Sequence, residues 1–502
     1  MGSGIALTAL TAGYKVVLQD VSVEVLGRAR AYLENFLAKK EMPERIDGVR
    51  LTESLEDCAS ADLVIEAALE QLELKRSIFS RLDGICSPQT IFASNTSTLS
   101  ITAIAAAVRD RGRVVGMHFF NPAPVLPLVE VIGTAHSRPE VVSIACDVAR
   151  KLGKTPVVAG DRPGFIVNRV ARPFYGEALR LLGEGIAGYA EIDTIVEQGG
   201  GFKMGPFRLM DLIGIDINAA AMRSMYEQTF GEPRYRPHWI QAQKLESGEL
   251  GRKTGRGFYE YVEGALAPKS IEVPERESRS GSVVFVGGSF GPGLEGLLES
   301  GGYQLLKDAA GQTDVIASLN TLGRKEGLQE AIRRMSAALP AGTPLLVQCA
   351  DAGLDEIASW IDRPENLIGF DGLFLGEGSV ATLTASERTP LEIKRSAEKF
   401  LNGLGRLPVW VKDGPGLVLP RIVAMLVNEA AFAVLEGVAD GETIDLAMRL
   451  GVSYPLGPLE WGRRIGWRRV LAVLDHLQAE YGEERYRACR LLRGWAREEQ
   501  QG

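Results

Sequence analysis

One stretch of this 502-residue chain occurs twice at a constant interval. The segment RPGFIVNRVARPFYGEALRLLGEGIAGYAEIDTIVEQGGGFKMGPF begins at Arg162, and GPGLVLPRIVAMLVNEAAFAVLEGVADGETIDLAMRLGVSYPLGPL begins at Gly414. Matching residues of the two segments lie 252 positions apart; for example, Arg169 matches Arg421 (421 minus 169). Both segments carry apolar residues at helical spacing and a late Gly-Pro turn. The repeat therefore predicts two copies of one helical domain.

Each helical copy follows a stretch that favours an α/β domain. In the first half, the strand-like runs YKVVLQD, ADLVIEAAL, TIFASN and RVVGMHFF alternate with helical stretches, which predicts a parallel sheet with helices on both faces. In the second half, GPGLEGLLESGGYQLL matches the opening GSGIALTALTAGYKVV and sets Gly291 against Gly2. The offset falls from 289 (291 minus 2) to 253 at His118 (371 minus 118). The second α/β stretch is therefore 36 residues shorter (289 minus 253).

The first residues read as the second part of a dinucleotide-binding unit. A helix that starts at the glycines Gly2 and Gly4 would direct its amides at a pyrophosphate. Asp20 ends the next strand, where an acid accepts hydrogen bonds from an adenosine ribose and repels a 2′-phosphate, which favours NAD over NADP. In the second half, the strand-like SVVFVGGSF precedes Gly291, whereas the first half has no counterpart. We expect a start site assigned too late, and poor NAD binding by the chain as written.

The second half contains GPGLEG at 291–296, which satisfies G-x-G-x-x-G. In the register of the first half, however, the first turn glycine falls on Val286, which would crowd a tight turn. The position of the ribose acid falls on Ala309. We interpret this motif as a relic of duplication.

These patterns predict an α/β Rossmann domain that lacks its N-terminal strand, an all-α helical domain, and a degenerate second copy of both. The polar, Pro-containing stretch between the halves reads as a linker. The expected parts are an NAD-binding domain (1–160), a helical substrate or dimerisation domain (161–262), a linker (263–281), a degenerate Rossmann-like domain (282–412) and a second helical domain (413–502).

Composition excludes several function classes. The net charge of −8 gives no electrostatic footprint for nucleic acid. Apolar runs stay below the 18 residues that a membrane span requires, and the N-terminus lacks the basic region of a signal peptide. The five cysteines are scattered without a C-x-x-C motif, which favours a reduced, cytoplasmic, metal-free protein.

Polar residues embedded in apolar sequence mark the expected chemical site. These residues are Ser97, His118, Asn121, Glu130 and Asn168. His118 ends a strand at the edge where parallel sheets bind ligands, and Glu130 lies in the apolar run PLVEVI, where a charge needs a partner. A carboxylate on one imidazole nitrogen fixes the tautomer and leaves the other nitrogen free to take a proton. A structural core histidine is the alternative, and it is our interpretation of His136, His238 and His476.

The motifs MGSGIA, VIEAALEQLELK, NTSTLSI, HFFNPAPV, LVEV, RPGFIVNR, MGPF and GRKTGRGFY resemble the 3-hydroxyacyl-CoA dehydrogenase family over residues 1–262. The tandem second half resembles its longer, two-copy bacterial members, which include 3-hydroxyadipyl-CoA and 3-hydroxybutyryl-CoA dehydrogenases, the former from phenylacetate breakdown. The resemblance implies NAD-dependent oxidation of (S)-3-hydroxyacyl-CoA to 3-oxoacyl-CoA.

The resemblance also implies roles for individual residues. His118 would be the general base, Glu130 would hold and charge-balance it, and Ser97 and Asn168 would bind the substrate oxygen and the thioester region. The implied NAD contacts are Gly2, Gly4, Asp20, Glu70, Lys75, Ser97, Asn121 and Lys253. Lys39 or Lys40 would pair with CoA phosphates, with solvated lysines as the alternative. For the far carboxylate of an adipyl chain, the candidates are Arg172 and Arg223.

The second half departs from the family pattern at its site positions. Asp371 takes the place of His118, Pro420 that of Asn168, and Ala350 falls near that of Ser97. We therefore predict one active site per chain. The second helical domain would replace a dimer partner, and a homo-oligomer is the other arrangement that the sequence allows.

Two other functions remain open from the sequence. A non-catalytic acyl-CoA-binding homologue is favoured only by the missing strand. A short β-hydroxyacid dehydrogenase is disfavoured, because such enzymes generally use a lysine base.

Overall fold

A computed structural model describes residues 1–262, 283–287, 294–301, 303–306, 317–319, 325–339, 342–376 and 378–500. The predicted linker, the glycine turn at 288–293 and the ribose-acid position Ala309 lie outside these residues. The chain divides into two compact units. The first combines Met1–Val170 with Ala433–Ser453, and the second combines Ala171–Phe432 with Tyr454–Gly502.

The first 170 residues alternate strands and helices. The elements are α1 (Gly2–Thr11), β1 (Val16–Gln19), α2 (Val23–Lys39), β2 (Val49–Thr52), β3 (Leu63–Glu66), α3 (Leu72–Ile85), β4 (Ile91–Ser94), α4 (Ile101–Ala105), β5 (Val114–Phe119), β6 (Leu128–Gly133), α5 (Pro139–Lys151), β7 (Thr155–Gly160) and α6 (Val167–Val170). Strand β1 pairs with β2, and β3 to β7 form a separate five-stranded sheet in chain order.

The predicted α/β sheet is confirmed, with one difference. Strands β3, β4 and β5 pair in parallel, as do β6 and β7, but β5 and β6 pair antiparallel. Only residues 120–127 connect β5 to β6, and so short a connection cannot carry the chain back for a parallel pairing. Buried apolar residues of β4, β5, β6 and α5 form the core on which these strands rest.

Helices dominate the following residues, as predicted. They are α7 (Arg172–Gly183), α8 (Tyr189–Thr194), a π-helical turn (Ile195–Gly199), α9 (Pro206–Ile213), α10 (Ile215–Gln228) and α11 (Trp239–Glu246). Among the described residues, no helix has the length and apolar character needed to cross a bilayer.

The second half again places an α/β stretch before helices. Its elements are β8 (Val283–Gly287), α12 (Leu294–Ser300), β9 (Gln304–Leu306), β10 (Ala317–Leu319), α13 (Lys325–Ala338), β11 (Leu345–Gln348), α14 (Leu354–Ala358), β12 (Leu367–Phe370), β13 (Val380–Thr384), α15 (Leu391–Gly403), β14 (Leu407–Trp410), α16 (Leu419–Leu435), α17 (Gly441–Val452), α18 (Pro458–Ile465), α19 (Trp467–Tyr481) and α20 (Arg490–Glu498). Strand β8 pairs in parallel with β9 on one side and β10 on the other. Over residues 1–262, by contrast, β1 and β3 belong to separate sheets.

Backbone angles agree between positions 252 apart. Phe165 and Leu417 both have positive φ, 48° and 49°, which is uncommon for residues with a side chain. The preceding glycines, Gly164 and Gly416, have φ of 74° and 76°. The same unusual turn therefore enters α6 and α16.

Candidate active site

A histidine and a glutamate face each other across β5 and β6. The antiparallel register sets His118 directly opposite Glu130. His118 Nδ1 lies 2.6 Å from Glu130 Oε2, and the two side chains are 6% and 0% exposed. Because a carboxylate accepts, Nδ1 carries the hydrogen and Nε2 keeps its lone pair. The pair thus has the arrangement of a general base and its orienting acid.

The other oxygen of Glu130 is held by backbone amides. Ile166 N and Val167 N donate to Glu130 Oε1 over 3.0 Å and 2.9 Å. The turn with positive φ at Gly164 and Phe165 directs both amides at the carboxylate. Hydrogen bonds to the charged form stabilise an ionised carboxylate in a buried place. These amides were not predicted, and the sequence signal for the turn that presents them is the Pro-Gly pair of RPGFIVNR.

Aromatic rings enclose the imidazole. The ring centroids of Phe120 and Phe165 lie 4.6 Å and 6.1 Å from that of His118. Next to this cluster, Asn95 Oδ1 accepts a hydrogen bond from Phe119 N over 2.8 Å and ties the end of β4 to the end of β5. Asn95 was not among the predicted residues, although it is the first residue of the NTSTLSI motif.

Ser97 and Asn168 lie together, as polar residues of one site would. Asn168 Nδ2 donates to Ser97 O over 3.2 Å. Asn168 follows directly after Val167, so the turn that holds Glu130 also positions this amide. Residues from two distant segments thus meet within the first unit.

Glu70 organises the loop that carries Ser97. Its Oε1 accepts from Thr96 Oγ1 and from the amides of Ser97 and Thr98. Burial works against ionisation of Glu70, but the Thr96 hydrogen bond and the charge of Lys75 outweigh it and lower the pKa of this carboxyl. A rigid anionic support for the loop results.

Lys75 lies beneath this loop. Its Nζ is 2.8 Å from Glu66 Oε1 and 3.4 Å from Glu70 Oε2, and its side chain is only 1% exposed. Glu66 also accepts from Ser94 Oγ over 2.6 Å. Lys75 therefore contacts the carboxylates of β3 and of the loop that follows it.

The start of α1 fits a pyrophosphate. No side chain caps this helix and its first turn contains no acid, which favours an anion at its N-terminus. A Cβ on Gly2 would meet no atom within 4 Å, which leaves room for a ligand. A Cβ on Gly4 would lie 3.3 Å from Pro124, close to the exposed Asn121. Glycine therefore lets α1 lie against the segment that follows His118.

Asp20 follows β1 and precedes α2. Its Oδ1 accepts from Ser22 N over 3.2 Å, and its own amide donates to Thr52 O. The carboxylate is partly exposed and keeps lone pairs for a ribose. These features fit NAD, with Gly2, Gly4 and Asp20 as the residues that would hold it.

The remaining predicted lysines have other contacts. Lys39 lies over the Phe36 ring at 5.6 Å, and Lys39 and Lys40 are exposed. In the second unit, Lys253 forms an ion pair with Asp216, with Nζ 2.5 Å from Oδ1.

His238 caps α11, and burial lowers its pKa to about 4, which agrees with a structural role.

The counterpart of the site in the second half is different. Asp371 is buried, and its carboxylate accepts from the amides of Leu373 and Phe374. Burial raises its pKa to about 7. Among the described residues, no cluster of three or more metal-binding side chains is present.

Comparison with known families gives matches over most of the chain. Residues 1–162 match the family model described as "3-hydroxyacyl-CoA dehydrogenase, NAD binding domain". Residues 164–261 and 416–502 both match "3-hydroxyacyl-CoA dehydrogenase, C-terminal domain". The helical segments of the two halves are thus similar to the same domain.

Individual proteins are similar over the whole chain or over its first half. The 3-hydroxyadipyl-CoA dehydrogenase of Escherichia coli (strain K12) is 38% identical, across 98% of this chain and 94% of its own. A crystal structure of 3-hydroxybutyryl-CoA dehydrogenase from Escherichia coli K12 has a TM-score of 0.81 at 36% identity, with 100% of this chain and 97% of that chain covered. A probable 3-hydroxybutyryl-CoA dehydrogenase from Deinococcus radiodurans is 40% identical across 52% of this chain and 96% of its own.

Proposed function

This chain belongs to the 3-hydroxyacyl-CoA dehydrogenase family, and on that premise we propose that His118 is the general base in its NAD-dependent oxidation of (S)-3-hydroxyacyl-CoA to 3-oxoacyl-CoA. The observation that supports this role is the 2.6 Å contact between His118 Nδ1 and Glu130 Oε2. That contact leaves His118 Nε2 free to accept a proton.

The reaction divides between the protein and the cofactor. His118 Nε2 takes the proton of the 3-hydroxyl group while the C3–O bond becomes a carbonyl. NAD, when bound, supplies the acceptor for the hydride that leaves C3. Glu130 stabilises the imidazolium, and the amides of Ile166 and Val167 stabilise Glu130. Ser97 and Asn168 would hold the substrate oxygen and the thioester region.

Substitution of the base tests this proposal. We expect His118→Gln to lower kcat by roughly 10²- to 10⁴-fold, since a positioned base contributes about that much. NADH formation is followed by absorbance with 3-hydroxybutyryl-, 3-hydroxyadipyl- and longer 3-hydroxyacyl-CoA. His136 is exposed, so its interpretation as a core histidine was wrong. His136→Gln is therefore the matched control and should keep wild-type activity.

The same assay separates the remaining alternatives. A non-catalytic homologue would bind the CoA esters and give no NADH with any of them. For the acyl chain, the relative that covers nearly the whole chain supports 3-hydroxyadipyl-CoA, and a short-chain substrate is the alternative. A higher kcat/KM for the adipyl ester would support the former.

Arg172 is buried against Tyr175, whereas Arg223 is exposed, so Arg223→Gln is the variant that tests recognition of the far carboxylate.

We further propose that the second half is a degenerate copy that replaces a dimer partner. The observations are contacts that recur in reciprocal form. Gly160 N donates to Val438 O over 2.8 Å, and Lys412 N, 252 positions later, donates to Ile186 O over 2.8 Å. Val438 in turn lies 252 positions after Ile186 (438 minus 186).

Ion pairs repeat the same relationship. Arg169 lies 2.8 Å from Glu436, and Arg421 lies 2.8 Å from Glu184, which is 252 positions before Glu436. Two-fold symmetric dimers make contacts of this kind, in which each surface meets the equivalent of its partner. A monomer in light scattering at micromolar concentration would agree with the proposal, and a stable homodimer would contradict it.

The domain boundaries and the location in the cell stay proposals. We retain the five predicted parts, with one active site per chain in the first α/β domain. The five cysteines are unpaired and buried, which supports a reducing compartment such as the cytoplasm.

A further inference from the structure

A helix from the second half packs beside the catalytic pair of the first. Helix α17 contacts β6, β7 and α6. Near its end, Gly451 is buried and lacks a side chain where three others converge. A Cβ on Gly451 would lie 2.8 Å from Leu128 Cδ2, 3.1 Å from Val167 Cγ2 and 3.5 Å from Phe120 Cε1. The first two distances are shorter than ordinary van der Waals contact.

Each of these three residues is connected to the His118–Glu130 pair. Leu128 lies two positions before Glu130 on β6. The amide of Val167 donates to Glu130 Oε1 over 2.9 Å. The ring of Phe120 packs on the imidazole with centroids 4.6 Å apart. A side chain at position 451 would therefore displace β6, the Val167 amide or the Phe120 ring, which contact the His118–Glu130 pair.

The equivalent glycine of the first half has more space. Gly199 lies 252 positions before Gly451, and a Cβ there would lie 3.5 Å from Leu419 and 3.9 Å from Val380. These neighbours are the counterparts of Val167 and Leu128 (419 minus 252 and 380 minus 252). Two equivalent glycines thus differ in how closely they are packed, and the more closely packed one lies against Phe120, whose ring packs on His118.

We propose that Gly451 is a positioning residue for the active site of the first half, and that α17 forms part of the wall behind the His118–Glu130 pair. The inference rests on the proposed role of His118. It assigns the second half an indirect part in the reaction, because the positioning residue lies 333 positions beyond His118 (451 minus 118).

The test compares Gly451→Ala with Gly199→Ala in the full-length chain. We expect Gly451→Ala to lower kcat by roughly 10- to 100-fold, because small displacements of catalytic groups have large effects on rate. KM should change by less than about twofold, since the loss concerns the reacting groups and not substrate binding. The kinetic isotope effect on kcat with substrate deuterated at C3 should rise, because the chemical step becomes slower. Gly199→Ala should leave kcat, KM and the isotope effect as in the wild type.

A second variant separates positioning from a general loss of folding. Leu128→Val removes the group closest to the added methyl, so Leu128→Val with Gly451→Ala should recover most of kcat. A folded double variant that stays as slow as Gly451→Ala would overturn the inference, as would equal losses from Gly451→Ala and Gly199→Ala. A wild-type chain without activity would instead contradict the proposed function itself.

Discussion

At the scale of residues, the site depends on how a buried carboxylate is hydrogen-bonded. Glu130 is fully buried, and a carboxylate there is unfavourable unless hydrogen bonds compensate the loss of water. One oxygen faces His118, and the other accepts from the Ile166 and Val167 amides. Both oxygens therefore have hydrogen-bonding partners, which offset the loss of water around this carboxylate.

Asp371 shows the opposite solution in the second half. Burial raises its pKa to about 7 from an ordinary 3.8, so the folded chain keeps this proton to higher pH than the unfolded chain does. Between these values the unfolded state binds fewer protons, and this residue lowers the free energy of unfolding as pH rises. Above about pH 7 the full destabilisation of the folded state by the ionised Asp371 is reached.

We predict that Asp371→Asn removes this dependence. The stability of the variant relative to the wild type should rise from pH 4 to pH 8 by up to about 4 kcal/mol, from about three pKa units at roughly 1.4 kcal/mol each. Denaturant unfolding at several pH values measures it. Asp362→Asn, at an exposed aspartate, is the control, and a flat difference for Asp371→Asn would contradict the expectation.

At the scale of elements, the turn between β7 and α6 decides where the amides point. Gly164 and Phe165 adopt positive φ of 74° and 48°, so the chain reverses before α6 and presents Ile166 N and Val167 N to Glu130. The corresponding turn at Gly416 and Leu417 enters α16 in the second half. The first of these equivalent turns thus contacts the carboxylate on β6, and the second leads into α16.

Substitution of the two turn glycines should separate stability from activity. We predict that Gly164→Ala and Gly416→Ala each lower the free energy of unfolding by about 1–2 kcal/mol or more, because alanine is unfavourable at positive φ. Only Gly164→Ala should also lower kcat, by roughly 10-fold or more, since it moves the amides that hold Glu130. Denaturant unfolding and the NADH assay measure the two effects. Unchanged kcat in a folded Gly164→Ala variant would contradict this account.

Much of this element structure could be predicted from the sequence, for identifiable reasons. Alternating apolar runs gave the sheet, and two polar residues within apolar strands pointed to His118 and Glu130. The antiparallel pairing of β5 and β6 was missed, although the shortness of the connection at 120–127 was a sequence signal that could have indicated it. The partners of Glu130 at Ile166 and Val167 were missed because every residue type except proline has a backbone amide, so no side chain marks them. The proximity of Gly451 to the site was missed because this glycine lies more than 300 positions after His118 in the sequence (451 minus 118).

At the scale of the whole molecule, buried ion pairs hold the repeated helices of the second unit together. The side chain of Arg421 is 0% exposed and donates to Glu177 and Glu184, and also to the hydroxyls of Tyr481 and Tyr486. Tyr486 also donates to Glu177, and Tyr235 donates to Glu429, the counterpart of Glu177. Removal of the arginine would take the cation from Glu184 and would leave Glu177 with Arg180 and Arg485, each at the longer distance of 3.8 Å.

We predict that Arg421→Ala lowers the free energy of unfolding by about 3–5 kcal/mol, as for other broken buried pairs. Arg493→Ala, at an exposed arginine paired with Asp475, should cost less than about 1 kcal/mol. Denaturant unfolding at one pH gives both values. Similar small losses for the two variants would show that the Arg421 contacts contribute little.

The reciprocal contacts have a consequence for how such a molecule can vary. In a dimer of identical subunits, every substitution on the shared surface appears on both sides at once. Here each side is encoded separately, so Arg421 has two tyrosine hydroxyls among its acceptors while Arg169 pairs with Glu436. Substitutions on one side can therefore accumulate without the same change on the other side, which identical subunits cannot do.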